Sequence, residues 1–259
     1  MQDKRVYTPY RFVCLCFLLL TVPAFLPKPV FPNDQPIYDR FVADNNQFRH
    51  QVQQLAHAVA TDAPADSVRA AFLHSRLAYK RIEWLVEYFQ PFLAAHINGP
   101  PVIEVEGTEP GQTPVLPTGL QVVEPFLFPV YERSRKADLT HEIATLLAYA
   151  ARLEPSLPAG QLTDTDVLEA TRQQLFRLLT AGLTGYDAPE SLSGLSEAVS
   201  SLHRLQAACK PYIRQLARPL ADQVEQQWTD AIRSLEDADD FARFDRVSFI
   251  RNQLYPLCR

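Results

Sequence analysis

The chain has 259 residues, 47% of them apolar, a net charge of −5, and 8 glycines against 21 prolines. That composition can bury a real core, and without blocks of like charge it excludes a nucleic-acid footprint. Scarce glycine, with prolines bunched between apolar-periodic stretches, excludes a sheet protein and leaves helices joined by stiff loops.

Lys4, Arg5 and Arg11 precede an apolar run from Phe12 to Val22, and Val22-Pro23-Ala24 then supplies small residues before a break. This is the order of a secretory signal. The run is about half of what a bilayer-spanning helix needs. Residues 1–24 are therefore expected to be a cleaved signal peptide, the alternative being a short N-terminal anchor. The protein is expected in the periplasm or another extracytoplasmic space, meeting a membrane only through this segment. Cys14 and Cys16 lie inside the apolar run and not after it, which excludes a lipoprotein signal. Residues 25–37, with Pro27, Pro29, Pro32 and Pro36, read as a Pro-rich tether. Export leaves Cys209 and Cys258 where disulfides can form; they either pair or stay thiols. No Cys-x-x-Cys-His occurs, so covalent haem attachment in this chain is excluded.

Residues 38–257 read as an all-α domain of about eight helices, an up-down bundle that is either one large bundle or two adjoining ones. The first helix, about Tyr38 to Thr61, carries Phe41, Phe48, Val52, Leu55 and Val59 on one side. The second, about Ala65 to His96, places Ala71, Ser75, Ala78, Ile82, Leu85, Phe89 and Phe92 on a bundle seam. Asn98-Gly99-Pro100-Pro101 stops it, and a Gly- and Pro-rich loop with Glu104, Glu106 and Glu109 follows to Thr118. A third helix runs from there to about Arg135, and a fourth from Asp138 to Leu153. Thr163 or Asp164 caps a fifth that Gly185 terminates. A sixth begins at Ser191 or Ser193 and reaches Ala217, disturbed at Pro211. Pro219 starts a seventh with Trp228 on it. Phe241 to Leu254 forms the last, with Phe244, Val247, Phe249 and Ile250 buried.

The spacing with chemical meaning is Gln121 and Glu124, three residues apart at the start of the third helix and so on one face of it. Glu124 can bind a cation or act as a base, and Gln121 can offer an oxygen or donate hydrogen bonds. Pro125 removes the donor that would serve the carbonyl of Gln121, so a kink or break is expected beside Glu124. In the alternative, Thr118 and Gln121 form a capping box and Glu124 is an acid of the first turns. Arg76, Tyr79, Lys80 and Glu83 make a polar run on the second helix. It reads as a solvated face with ordinary ion pairs, except Glu83, which is positioned to meet the third helix across the interior. The six histidines are dispersed, without His-Glu-x-x-His or Gly-x-Ser-x-Gly anywhere.

Gly119-Leu120-Gln121-Val122-Val123-Glu124 resembles the imelysin family, marked by Gly-x-His-x-x-Glu at the start of a bundle helix. It is closer to the imelysin-like region that precedes the di-haem domain of some cytochrome c peroxidase-type proteins, where a Gln form of the motif follows a Pro-rich loop. Arg76-Leu77-Ala78-Tyr79-Lys80-Arg81-Ile82-Glu83, Val86-Glu87-Tyr88-Phe89 and Asn98-Gly99-Pro100-Pro101 agree. The resemblance is specific over residues 76–129 and diffuse to about residue 257. It implies an exported, non-catalytic accessory module for periplasmic redox or iron handling. The implied partner is a di-haem cytochrome c peroxidase or another periplasmic redox protein. Gly119 and Glu124 match the motif directly, and Gln121 stands in place of its His, a weaker metal ligand. The alternatives are a metal-binding protein that uses Glu124, with Glu83 and a backbone carbonyl near Pro125, for iron or calcium, and a metallopeptidase of the imelysin type. The metal, if one binds, is unspecified. The chain ends at Arg259, roughly where the longer proteins pass into their haem domain, so either a stand-alone module or a split fragment is expected.

Overall fold

Pro36 lies in the first described turn of the first helix. A proline has no N–H to donate, and the first turn of a helix has no partner for one, so its fixed φ costs nothing there. Helix α1 is described over Gln35–Ala60, so it already includes the three residues before Tyr38. The structure, a computed structural model, describes residues 35–103, 115–157 and 162–258. The expected signal, most of the tether and Glu104, Glu106 and Glu109 lie outside the described residues. Phe41, Phe48, Val52, Leu55 and Val59 are all buried, as their spacing requires. Burying a side chain of this size stabilises by about 1.5–3 kcal/mol.

The single second helix of the sequence reading is divided into α2 (Ala65–Lys80), α3 (Glu83–Phe89) and α4 (Pro91–Asn98). Pro91 causes the second division. It disfavours helical backbone at Gln90, which sits at φ −136° and ψ 54°. The first division is a bend, in which the N–H groups of Arg81 and Ile82 donate to the carbonyls of Ala78 and Tyr79 in the tighter i→i+3 pattern. Phe92, placed on the seam by spacing, is 57% exposed because the register restarts at Pro91.

The third helix is also shorter than expected. Helix α5 spans Leu120–Leu127 with Pro125 inside it, and Pro129 holds Phe128 in extended backbone, which ends it. A 3-10 turn at Arg133–Arg135 leads into α6 (Lys136–Ala150) and the short α7 (Leu153–Ser156). Helix α8 (Asp164–Arg177) opens on a capping box, in which Thr163 accepts from the N–H of Asp166 and the Asp166 carboxylate accepts from the N–H of Thr163. It continues as a π turn at Leu178–Gly182. Helix α9 (Gly194–Ile213) contains Pro211, α10 (Arg218–Glu236) buries Trp228, and α11 (Arg246–Phe249) passes through a wide turn into α12 (Tyr255–Leu257). Val247, expected in the core, is 77% exposed, whereas Phe249 is buried. The helical pattern there begins five residues later than the sequence suggests, which rotates Val247 outward.

Helix α1 packs on α2 and α6, α2 on α9, α9 on α10, and α3 on α8, and residues 33–259 make one unit. The fold is all-α with no strand among the described residues. Among those residues both Cys209 and Cys258 are free thiols, and burial pushes the Cys209 thiol up to about 11. No described helix is long and apolar enough to cross a membrane.

Candidate functional site

Gly119 places the motif. Its φ is +101°, a region that L side chains rarely adopt, and a Cβ there would lie 2.6 Å from the carbonyl oxygen of His96 and would also strike the Ile97 backbone. Without a side chain, the start of α5 lies directly against the end of α4. Two hydrogen bonds use that approach: the Thr118 hydroxyl donates to the His96 carbonyl at 2.9 Å, and Gln121 Nε2 donates to the Asn98 carbonyl at 2.9 Å. The capping box considered for Thr118 and Gln121 is therefore not formed; both side chains reach across to α4 and satisfy carbonyls at its C-terminal end.

Gln121, Glu124 and Glu83 are 3%, 0% and 0% exposed, and all belong to one buried charged cluster. Lys80 lies at its centre, donating to Glu83 Oε1 at 2.7 Å and to Asp187 Oδ2 at 2.8 Å. Glu83 also accepts from Asn98 Nδ2 at 3.3 Å and from Gln174 Nε2 at 2.6 Å. Arg76 grips Glu197 with two bonds, Nε to Oε1 at 2.5 Å and Nη2 to Oε2 at 3.0 Å, and also donates to the Asp187 carbonyl. Arg177 donates to Asp187 Oδ1 at 3.1 Å and pairs with Glu83 and Glu87 at 3.3 and 3.2 Å. Gln121 Nε2 also approaches Asp187 Oδ1 at 3.5 Å. Glu124 Oε1 accepts the backbone N–H of Ser191 at 3.0 Å, while its Oε2 finds no hydrogen-bond partner among the described residues.

The charges divide by role. Burial opposes ionisation of Glu197 and Asp187, and Arg76 and Lys80 for the one, Lys80 and Arg177 for the other, outweigh it, holding both carboxyls below the ordinary range. Three guanidinium or ammonium groups thus face three carboxylates: Arg76, Lys80 and Arg177 against Glu83, Asp187 and Glu197. Glu124 and Glu87 are in excess. Burial raises both, Glu87 to about 7, against the opposing pull of Arg76 on Glu124 and of Arg177 on Glu87. A carboxyl raised on folding contributes stability that is complete below its unfolded value of 4.5 and is lost as the pH climbs through about 7. Glu87→Gln, which mimics the protonated acid, is expected to match the wild type near pH 4.5 and to exceed it by about 1–2 kcal/mol at pH 8. Urea unfolding at the two pH values reads this directly, and a variant less stable at pH 8 would contradict the assignment.

The sequence reading placed Arg76, Tyr79 and Lys80 on a solvated face; all three are buried. The distant acidic partners of Arg76 and Lys80, Glu197 and Asp187, lie more than 100 residues away. Asp187 sits in the connection between the π turn and α9, where Gly185 at φ +86° turns the chain inward and the N–H of Ala188 bonds back to the Gly185 carbonyl. Arg246 fixes the start of this connection by donating to the carbonyl of Leu183. Ser193, at the N-terminus of α9, donates to Glu197 Oε1 at 2.5 Å. The available signal was spacing: Phe72, Arg76, Lys80 and Glu83 fall at four, four and three, beside the apolar stripe.

As arranged, these residues do not fit a metal ion. Both Glu83 oxygens already accept from nitrogen donors, Gln121 presents its donor side, and three cationic groups stand in the cluster. Among the described residues, no group of three His, Cys, Asp or Glu side chains could hold one. The cleft of 480 Å³ on the outer side of α5, lined among others by Val122, Pro125, Arg135 and His141, does not include Gln121 or Glu124. No protein-family model matches the chain, and no curated protein matches it.

Proposed function

We propose that the protein is an exported, non-catalytic helical module of imelysin-like type, accessory to periplasmic redox or iron handling and working beside a di-haem cytochrome c peroxidase. The observation that supports this reading most is the burial of Gln121, Glu124 and Glu83 in a network of internal ion pairs and hydrogen bonds. A catalytic acid or base must come within hydrogen-bond reach of a substrate proton. Here the motif is spent on joining α4, α5 and the connection before α9, which suits a rigid platform for a partner. The Gln form of the motif supports the same reading, because a neutral amide is a weaker metal ligand than an imidazole and here donates to the Asn98 carbonyl.

The purified chain alone is expected to turn over neither peroxide nor casein. As bait in an extract of its own periplasm, it is expected to retain a protein whose haem spectrum is of c type. Glu124→Gln keeps an acceptor for the Ser191 N–H and removes a desolvated charge, so it should leave capture intact and change stability by less than about 1 kcal/mol. Peroxidase or chelator-sensitive peptidase activity that disappears in Glu124→Gln would overturn the reading.

A further inference from the structure

A second polar feature lies away from the buried cluster. The start of α1, the bend between α2 and α3 and the later half of α9 enclose a cavity of 450 Å³, within the range of small-molecule sites. Its floor is apolar and includes Phe41, Trp84, Leu85 and Ala208. Three arginines are among the residues that line it, Arg40, Arg81 and Arg204, with a single acidic residue, Asp44.

The ion pairing there is incomplete. Asp44 Oδ2 lies 2.7 Å from Arg204 Nη2 and 3.5 Å from Arg40 Nε, so one carboxylate serves two cations. Arg81 has no side-chain partner among the described residues, and its charge acts on Asp44 from the same cavity. The buried Nε of Arg204 has no hydrogen-bond acceptor among the described residues. Burial pulls the Arg204 guanidinium below its ordinary range; Asp44 opposes this, and repulsion from Arg40 and Arg81 adds to it. Two positive charges in excess, over a floor of aromatic and aliphatic carbon, favour an anion with an apolar body. A planar carboxylate matches the paired N–H donors of a guanidinium.

We propose that this cavity binds a small amphipathic carboxylate, its head on Arg81 and Arg204 and its apolar body along Phe41, Trp84 and Leu85. The site is independent of the function proposed above and uses none of the residues of the motif. Arg81 suits the role because it is exposed and caps the C-terminal end of α2 through its backbone N–H alone, which leaves its side chain free to swing onto a ligand.

Decanoate is a suitable probe, titrated into the full chain by calorimetry and followed by the fluorescence of Trp84, one of two tryptophans. Saturable one-to-one binding is expected, weakening about fourfold for each CH₂ removed from the tail. Arg81→Gln is expected to weaken it about tenfold while leaving the unfolding midpoint unchanged. Decanol tests the head alone and inorganic phosphate tests the need for a tail; both should bind far more weakly. The proposal is overturned if decanoate shows no saturation below roughly 1 mM. It is equally overturned if Arg81→Gln binds as well as the wild type, or if decanol or phosphate binds as tightly as decanoate.

Discussion

Arg76→Met is expected to destabilise the protein by about 3 kcal/mol at neutral pH, within the range of about 3–5 kcal/mol for breaking a buried ion pair. The methionine fills much of the space of the arginine stem, so the loss is electrostatic and not a cavity effect. It leaves Glu197 buried and ionised, and the carbonyl of Asp187 loses its 2.6 Å donor. The lower end of the range applies because Glu197 keeps two partners, Ser193 at 2.5 Å and Lys80 Nζ at 3.6 Å. Removing both charges is a different experiment. Arg76→Met combined with Glu197→Met is expected to recover most of the loss, since the carboxylate that Arg76 served is then removed with it.

The pH dependence has a definite sign. Folding holds the Glu197 carboxyl below its ordinary 4.5, so the stability it contributes is present above 4.5 and lost as the pH falls through the folded value. The gap between wild type and Arg76→Met should therefore narrow on acidification. Equilibrium unfolding in urea from pH 7 down to pH 3 measures it. A single variant within about 0.5 kcal/mol of the wild type at pH 7 would contradict a dry internal pair, since that is the size of an exposed one.

The same cluster explains which parts of the molecule could be read from the sequence. Apolar spacing located α1 and the core residues from Phe41 to Val59, and residue type narrowed the cap of α8 to Thr163 or Asp164, of which Thr163 is the cap, because those features depend on neighbours three or four residues away. It merged α2, α3 and α4, although Pro91 marks the second break, because the apolar pattern runs on across a bend whose cause is tertiary. The motif at Gly119, Gln121 and Glu124 was visible as a spacing, but its role was not. Gln121 bonds to Asn98 and Glu124 to the backbone of Ser191, and neither contact is encoded locally. Arg76 and Lys80 were harder still. An arginine beside an apolar stripe looks the same whether water or Glu197 awaits its guanidinium, and Glu197 is 121 residues distant. Buried charge is specified by pairs, and a single chain read in order shows only one member at a time.

Gly119→Ala is expected to lower stability by about 3 kcal/mol, because two separate effects combine. A left-handed φ for a residue with a Cβ costs about 1–2 kcal/mol, and forcing a methyl into a packed contact costs typically about 1–3 kcal/mol more. The contact is with main chain, the carbonyls at the end of α4, which cannot swing aside as a side chain would. Relief requires the start of α5 to retreat from α4, and that movement lengthens the 2.9 Å bond from Gln121 to Asn98. Asn98 is itself a donor to Glu83, so the disturbance passes into the charged cluster. The variant should therefore show a melting midpoint lower by roughly 6–12 °C and faster amide exchange at the end of α4 and the start of α5. A comparison with Gly182→Ala separates this from a general intolerance of alanine. There the nearest neighbour is the flexible end of Leu178 at 3.2 Å and φ lies outside the left-handed region, so the loss should stay below about 1 kcal/mol. If the two alanines cost the same, the close approach of α5 to α4 is not what fixes the motif.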